Sequence, residues 1–175
     1  MTNLVSIEGD LDSAFSSSKG LVTCEEAEAF CFIGEEHLTK VTVAEFEPLA
    51  MERGKHLAAS VDKEISYLGD EALLHRLVGI LMDNAIKYCD QGGEITVNLH
   101  RGRKIILTVE NTYAAVGELE LNRLFDRFYR ADKAIKFTGG YGIGLSMAKA
   151  IAEKHKGEIT AYRKDATYIG FKIVL

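Results

Sequence analysis

Apolar residues recur three or four positions apart in three parts of the chain, a spacing typical of amphipathic helices. The clearest run covers residues 71–88, and Asp70 before it is a favourable N-cap. A second run follows Thr42, whose spacing to Glu45 resembles a capping box. A third begins at Ile143, near the end of a stretch over residues 139–144 that has four glycines in six positions. We therefore predict three helices, the last of which starts at a glycine-rich turn.

Alternation of apolar and polar residues predicts strands in much of the remaining chain. Residues 94–100 alternate, and a turn at residues 101–103 leads to a returning strand over residues 105–109. Residues 158–163 and 168–174 form a second predicted hairpin. Two shorter strands are predicted over residues 56–61 and 64–68. This order predicts an α+β fold: a two-layer sandwich whose mixed, mostly antiparallel sheet has about five strands, with helices on one face.

The pattern is weakest in residues 1–40, which we treat as a separate N-terminal segment without an assigned fold. Within it, residues 4–7 and 21–24 resemble short strands, and residues 25–33 resemble a helix. Residues 41–175 form the predicted folded domain.

Composition narrows the class of protein. A chain of 175 residues with 47% hydrophobic and 27% charged residues is typical of a globular domain with a real core. The net charge of −5 means that the chain has no excess of basic residues, so nucleic acid is not an expected partner. The three scattered cysteines lack metal-site spacing and indicate a reducing, cytoplasmic setting. No apolar run approaches the ~18 residues of a membrane helix.

Two stretches carry candidate chemistry. The glycine-rich turn would present backbone N–H groups at a helix N-terminus, where the helix dipole favours phosphate. Leu145 stands where a P-loop needs lysine, and a hinge before an ordinary helix is an equally good interpretation. Asn84 is a poor helix former whose amide oxygen suits Mg²⁺, and Lys87 lies near the same helix face. Taken alone, this helix would favour the plainer interpretation that both are ordinary surface side chains.

The segment between the first hairpin and the glycines is basic. Residues 121–130 predict a short helix, and Arg127 and Arg130 add positive charge ahead of the glycine-rich turn. This segment is typical of a mobile lid over an anionic ligand, and a solvated loop is the alternative.

Three motifs, in this order, resemble those of the catalytic ATP-binding domain of bacterial sensor histidine kinases, in the superfamily shared with DNA gyrase and MutL. Leu81–Tyr88 resembles the N box, Leu124–Arg130 the F box and Gly140–Leu145 the G2 box. The resemblance covers about residues 43–175 and implies the Bergerat-type ATPase fold.

The resemblance implies a role for each matching residue. Asn84 would hold Mg²⁺ at the triphosphate, Lys87 and Arg130 would contact phosphates, and Tyr88 would pack beside the adenine. Asn111 would accept a hydrogen bond from the adenine amino group. The backbone of the helix start would cradle phosphates at Gly140, Gly142, Ile143, Gly144 and Leu145.

Three positions bear on how far these roles apply. Asn111 stands where the family usually has aspartate, although a subset resembles this chain. Tyr113 replaces a glycine, which predicts a crowded pocket or a tightened hinge. Ile80 occupies the place of the glutamate that activates water in ATP-hydrolysing relatives, and isoleucine cannot take a proton. The resemblance therefore implies a protein-histidine kinase that transfers the γ-phosphoryl group of ATP, and the alternative is a degenerate nucleotide-binding or partner-docking module.

The resemblance also implies partners beyond this sequence. No phosphoacceptor motif occurs here, so the acceptor histidine is expected on a separate dimerisation domain, with a response regulator downstream. The isolated domain is expected to be a monomer, and the full-length protein a homodimer. We expect the domain to be the cytoplasmic part of a membrane-bound sensor.

Overall fold

The described helices and strands follow the predicted order along the chain. The computed structural model describes residues 31–33, 35–62, 65, 67–130 and 141–175. In that part of the chain the elements are β1 (Cys31–Ile33), α1 (Glu35–Glu52), β2 (His56–Val61), β3 (Tyr67–Gly69), α2 (Glu71–Tyr88), β4 (Glu94–Arg101), β5 (Ile105–Thr112), α3 (Gly144–Lys154), β6 (Glu158–Arg163) and β7 (Tyr168–Val174).

Five strands form the main sheet, in the spatial order β2-β4-β5-β7-β6. Only β2 and β4 run parallel, whereas the other neighbouring strands are antiparallel. The β4–β5 and β6–β7 pairs are the two predicted hairpins. The prediction of a mixed, mostly antiparallel sheet of about five strands is therefore confirmed.

The core lies between this sheet and the helices that cover one of its faces. Side chains alternate along each strand, so every second residue of β4 and β5 points at the helices. Helix α2 packs on both other helices and on β5. The largest fully buried side chains include Phe171, Leu77, Leu81, Met82 and Ile95. Burial of each such side chain stabilises the fold by about 1.5–3 kcal/mol, which explains why the two layers stay together.

Helix α2 is the element that the sequence predicts best. The Asp70 side chain accepts a hydrogen bond from the Leu73 backbone N–H at 3.0 Å, as expected of an N-cap. Its apolar stripe faces the core, whereas its charged residues lie towards solvent. Within the described residues, no helix combines the length and apolar character that a membrane span needs.

Helix α1 starts earlier than predicted. It begins at Glu35, so Thr42 and Glu45 lie inside the helix rather than at its first turn. Glutamate, leucine and lysine favour helix, and a helix can extend beyond the part that carries an apolar stripe. The helix continues through Pro48, and Gly54 follows it with φ +62°, the left-handed conformation typical of a helix end.

The strands near the N-terminal end of the described chain also differ from prediction. Residues 31–33 form β1, antiparallel to β3, whereas a helix was predicted over residues 25–33. Strand β3 covers Tyr67–Gly69 instead of residues 64–68. A short apolar run does not distinguish a strand from a helix, because three residues contain no full period. The elements predicted within residues 1–30 lie outside the described residues.

The helix predicted over residues 121–130 is wrong. Short 3₁₀ turns occupy Val116–Glu118 and Leu121–Arg123, and no helix follows them before residue 130. Phe128 takes φ +66°, which is incompatible with a right-handed helix and costly for a bulky side chain.

A buried histidine ties α3 to the start of α2. His155 is 9% exposed, and its Nε2 accepts the Asp70 backbone N–H at 3.1 Å while Nδ1 donates to the Ile151 carbonyl at 2.8 Å. The His155 carbonyl accepts the Tyr67 hydroxyl at 2.8 Å. Because these bonds reach two elements at once, they fix the position of α3 relative to α2.

We predict that His155→Ala lowers the free energy of unfolding by about 1–3 kcal/mol, because it leaves buried polar backbone groups without a partner. Urea denaturation would measure the change. His100→Ala is the control, since His100 pairs with Asp62 on the surface and should contribute little. Equal losses in the two variants would contradict this account of His155.

Candidate functional site

A cleft of about 390 Å³ opens beside α2 and the start of α3. This volume lies within the usual range for small-molecule sites. It is lined by residues from α2, from the segment after β5, from the glycine turn before α3 and from β7. The cleft therefore joins parts of the chain that are far apart in sequence.

One wall of the cleft is a face of α2. Its lining residues are spaced three, four and seven positions apart, so they share one side of the helix; they are Ile80, Asp83, Asn84, Lys87 and Tyr88. The Lys87 ammonium lies 4.9 Å from the centre of the Tyr88 ring, within the range of a cation–π contact. The three predicted N-box site residues thus lie together in one wall.

Asp83 was not predicted as a site residue. It lies in the same wall beside Asn84, and partial burial raises the pKa of its carboxyl above the ordinary value. Its position directly before the N-box asparagine is the only sequence signal that could have indicated it.

The glycine turn before α3 forms a second wall. Gly142 takes φ +66°, and a Cβ placed there would lie 2.8 Å from the Tyr129 carbonyl oxygen, so only glycine fits. The Gly142 carbonyl accepts the Phe128 N–H at 2.8 Å. Ile143, Gly144 and Leu145 complete this lining with Tyr141, whereas the predicted site residue Gly140 lies outside the described residues.

The start of α3 can bind an anion. Among the described residues no side chain caps this helix, and its first regular backbone bond runs from Met147 N–H to the Ile143 carbonyl. The preceding N–H groups, at Gly144, Leu145 and Ser146, therefore lack intrahelical partners and carry the positive end of the helix dipole. The prediction of a phosphate-binding helix start fits this geometry.

The segment after β5 supplies a third wall. This segment lines the cleft with Tyr113, Leu119, Leu124, Tyr129 and Arg130. The guanidinium of Arg163 fastens the segment, because it donates to the Val116 carbonyl at 2.9 Å and to the Leu119 carbonyl at 2.6 Å. Arg130, predicted as a phosphate contact, is half-buried in this wall.

The sheet provides the floor through Ile169 and Phe171 of β7. Asn111 does not line the cleft but is fully buried in β5, where it pairs in register with Ile169. Its Nδ2 donates to the Thr112 carbonyl at 3.0 Å, and among the described residues its Oδ1 has no partner. An unsatisfied buried acceptor costs about 1–3 kcal/mol, so this atom requires a donor, either from a ligand or from a buried water molecule.

The chemistry of the cleft follows from these walls. Apolar side chains from α2, β7 and the segment after β5 suit a flat ring, and Asn111, although it does not line the cleft, lies in β5 directly opposite the lining residue Ile169. Lys87, Arg130 and the start of α3 suit several negative charges. A nucleotide combines these two requirements.

Comparison with known proteins assigns the family. The model of the family described as histidine kinase-, DNA gyrase B-, and HSP90-like ATPase matches residues 69–175, more than half of the chain. The chain belongs to this family of ATPases. The match covers all the walls of the cleft.

Named relatives of this ATPase domain are sensor kinases. Sensor protein DltS of Streptococcus agalactiae serotype III (strain NEM316) is 38% identical over 120 residues, which cover 68% of this chain and 30% of the relative. Sensor histidine kinase CusS of Escherichia coli O6:H1 is 38% identical over 132 residues, which cover 74% of this chain and 27% of the relative. The domain thus spans less than a third of each of these relatives. The chain is thus similar to the corresponding part of these two sensor kinases.

Solved structures agree with the predicted fold. The mycobacterial sensor histidine kinase MprB superposes with a TM-score of 0.68 at 22% identity, over 83% of this chain and 95% of the other. Full-length ShkA in complex with AMPPNP gives a TM-score of 0.72 at 19% identity, over 83% of this chain and 30% of the other. The predicted histidine kinase ATPase-domain fold is confirmed.

We predict that Gly142→Ala weakens binding of a fluorescent ATP analogue by at least about tenfold. The new methyl group would collide with the Tyr129 carbonyl, and the left-handed backbone would cost about 1–2 kcal/mol. Fluorescence titration would measure the affinity. Gly117→Ala is the matched control, since a Cβ at Gly117 meets nothing within 4 Å.

Proposed function

We propose that this domain binds Mg²⁺-ATP in the cleft and transfers its γ-phosphoryl group to a histidine on a separate dimerisation and phosphoacceptor domain. The observation that carries the proposal is the convergence of Asn84 and Lys87 from α2 with Arg130 and the start of α3 around one cleft. Some 50 residues of sequence separate these groups, so their meeting requires the whole fold.

The triphosphate would lie between two helices. Lys87 and Arg130 would neutralise phosphate oxygens, and the backbone of Gly142, Ile143, Gly144 and Leu145 would donate hydrogen bonds to them. Gly140 is proposed for the same cradle from sequence alone. Phosphoryl transfer depends mainly on positioning and charge stabilisation, which such donors supply.

Asn84 is the proposed Mg²⁺ ligand. Its amide is half-buried in the cleft wall and offers the neutral oxygen that this hard cation accepts. When bound, Mg²⁺ neutralises charge on the phosphate oxygens of ATP. The carboxylate of Asp83, directly beside Asn84, adds negative charge to the same wall and fits a cation there.

The adenine would occupy the apolar part of the cleft. Asn111 would accept a hydrogen bond from the exocyclic amino group through Oδ1, which has no partner within the described part of the chain. Tyr88 would pack beside the ring. The buried acceptor supports adenine over guanine, because guanine presents a carbonyl oxygen at that edge.

Transfer is favoured over hydrolysis because Ile80 lines the cleft wall one helical turn before Asn84. An isoleucine cannot accept a proton from water, and its apolar side chain disfavours a bound water molecule. The γ-phosphoryl group would then remain on ATP until an acceptor histidine arrives.

A degenerate binding module is the alternative. The side chain of Tyr113 lies in the cleft lining, where the family pattern has a glycine, and it reduces the room for a nucleotide. Such a module would bind ATP weakly and serve as a docking surface.

The relatives named as sensors support a larger setting for the domain. We propose that residues 41–175 are the cytoplasmic catalytic part of a membrane-bound sensor that is a homodimer at full length. A response regulator would receive the phosphoryl group. The isolated domain is proposed to be a monomer.

We predict that the isolated domain binds ATP only with Mg²⁺, with a Kd between about 1 μM and 1 mM. It should phosphorylate the phosphoacceptor domain of its full-length protein in trans. Asn84→Ala should lower the transfer rate by roughly 10²-fold, because one charge-stabilising group is lost. Calorimetric titration and transfer of radiolabelled phosphate would measure the two effects.

Asn98→Ala is the control, because Asn98 lies in β4 on the outer face of the sheet, opposite Thr108. It should behave as the unmodified domain does. No binding at millimolar ATP would favour the degenerate module, and steady ATP hydrolysis without an acceptor would overturn the argument from Ile80.

A further inference from the structure

Tyr113 is a cleft residue at the end of β5, the strand that carries Asn111. It comes directly after β5, lines the cleft and is half-buried against the hydrophobic core. Tyr113 follows Asn111 by two positions, which places their Cα atoms about 7 Å apart. Tyr113 is therefore close along the chain to the proposed acceptor for the base.

Asn111 presents its Oδ1 to the base as an acceptor. Its Nδ2 donates to the Thr112 carbonyl at 3.0 Å, which turns Oδ1 away from that carbonyl. An acceptor at this place disfavours guanine, whose corresponding edge carries an oxygen. It does not exclude an adenine with one substituent on the amino group, because such an amine keeps one N–H to donate. A second feature is needed for that discrimination.

The backbone of Tyr113 is held on both sides. Its N–H donates to the Thr167 carbonyl at 2.7 Å, and its carbonyl accepts the Val116 N–H at 3.0 Å. The next residue, Ala114, donates its N–H to the Asp90 carboxylate at 2.8 Å. The ring can thus leave its place only by side-chain rotation, which its packing against the core opposes. It forms a fixed wall beside the amino edge of the base.

We propose that Tyr113 is a specificity residue that restricts the cleft to purines with an unsubstituted amino group and excludes those with a bulky substituent there. The inference rests on the proposed ATP-binding function. Asn111 would select the amino group, and Tyr113 would limit the size of a substituent on that group. The two residues would act on different features of the same edge of the base.

The test compares the Kd values of ATP, N6-benzyl-ATP and GTP in the presence of Mg²⁺. The unmodified domain should bind N6-benzyl-ATP at least about tenfold more weakly than ATP, and Tyr113→Ala should reduce that ratio to about threefold or less. The ratio of the Kd for GTP to the Kd for ATP should not change in Tyr113→Ala, because Asn111 remains. Tyr113→Phe should keep the ratio of the unmodified domain, since the ring stays.

Tyr168→Ala is the matched control, because the Tyr168 hydroxyl bonds Glu94 and its ring is not part of the cleft lining. It should leave both ratios unchanged. Equal binding of ATP and N6-benzyl-ATP by the unmodified domain would overturn the proposal. A folded Tyr113→Ala variant that keeps the Kd ratio of N6-benzyl-ATP to ATP would also overturn it. The same holds for a variant in which the N6-benzyl-ATP and GTP ratios both fall, because the cleft would then have lost its selectivity in general.

Two further outcomes are distinguishable. If ATP itself does not bind, the proposed function fails, whereas ATP binding with no effect of Tyr113 rejects only this inference. If Tyr113→Ala does not fold, Tyr113→Gly and a series of N6-substituents on the unmodified domain replace it. Affinity that falls as the substituent grows from methyl to benzyl supports the proposal, and a flat series rejects it.

Discussion

The nucleotide cleft depends on a close backbone contact between two segments that flank residues 131–140. The Phe128 N–H donates to the Gly142 carbonyl at 2.8 Å, and both residues take left-handed backbone conformations. For a phenylalanine this conformation costs about 1–3 kcal/mol, while its side chain remains 71% exposed and gains little from burial. Such a cost persists only if the surrounding contacts impose it. Here Phe128 is held by its bond to Gly142, whose backbone lies so close that a side chain there would collide with Tyr129 and Phe128. Gly142 in turn leads directly into the start of α3.

The central strand β5 carries buried polar groups on both faces of the sheet, and they differ in how many hydrogen-bond partners they have. Glu110 is buried on the outer face, where the Tyr162 hydroxyl and the Lys164 ammonium each bond its carboxylate at 2.7 Å. Burial and the bond to Glu110 raise the pKa of the Tyr162 hydroxyl, so that it stays protonated and remains a donor. Asn111, the next residue, faces the helices, and its Oδ1 has no such partner among the described residues. The same strand therefore satisfies one buried polar group fully and leaves its neighbour in need of a donor, from a ligand or from a water molecule.

Sequence patterns predicted those parts of the fold in which periodicity and local caps agree. Helix α2 has both an apolar stripe and the Asp70 cap, and the two hairpins alternate over their whole length. The start of α1 was missed because its first turns lie beyond the apolar stripe, and β1 was missed because three residues show no period. The helix predicted over residues 121–130 was wrong because a tertiary contact acts there: Phe128 bonds the Gly142 carbonyl and takes a left-handed backbone conformation.

For the site, motif order located Asn84, Lys87 and the glycine turn, because these residues belong to continuous stretches. It could not locate Ile169 or Phe171, which reach the cleft through the register of β7 against β5. The departures at Ile80 and Tyr113 lie on different walls of the cleft, one on α2 and the other on the segment after β5. The proposed resistance to hydrolysis depends on the first residue, and the proposed restriction of the base depends on the second. Because neither proposal uses the other residue, a measurement that rejects one of them would leave the other standing.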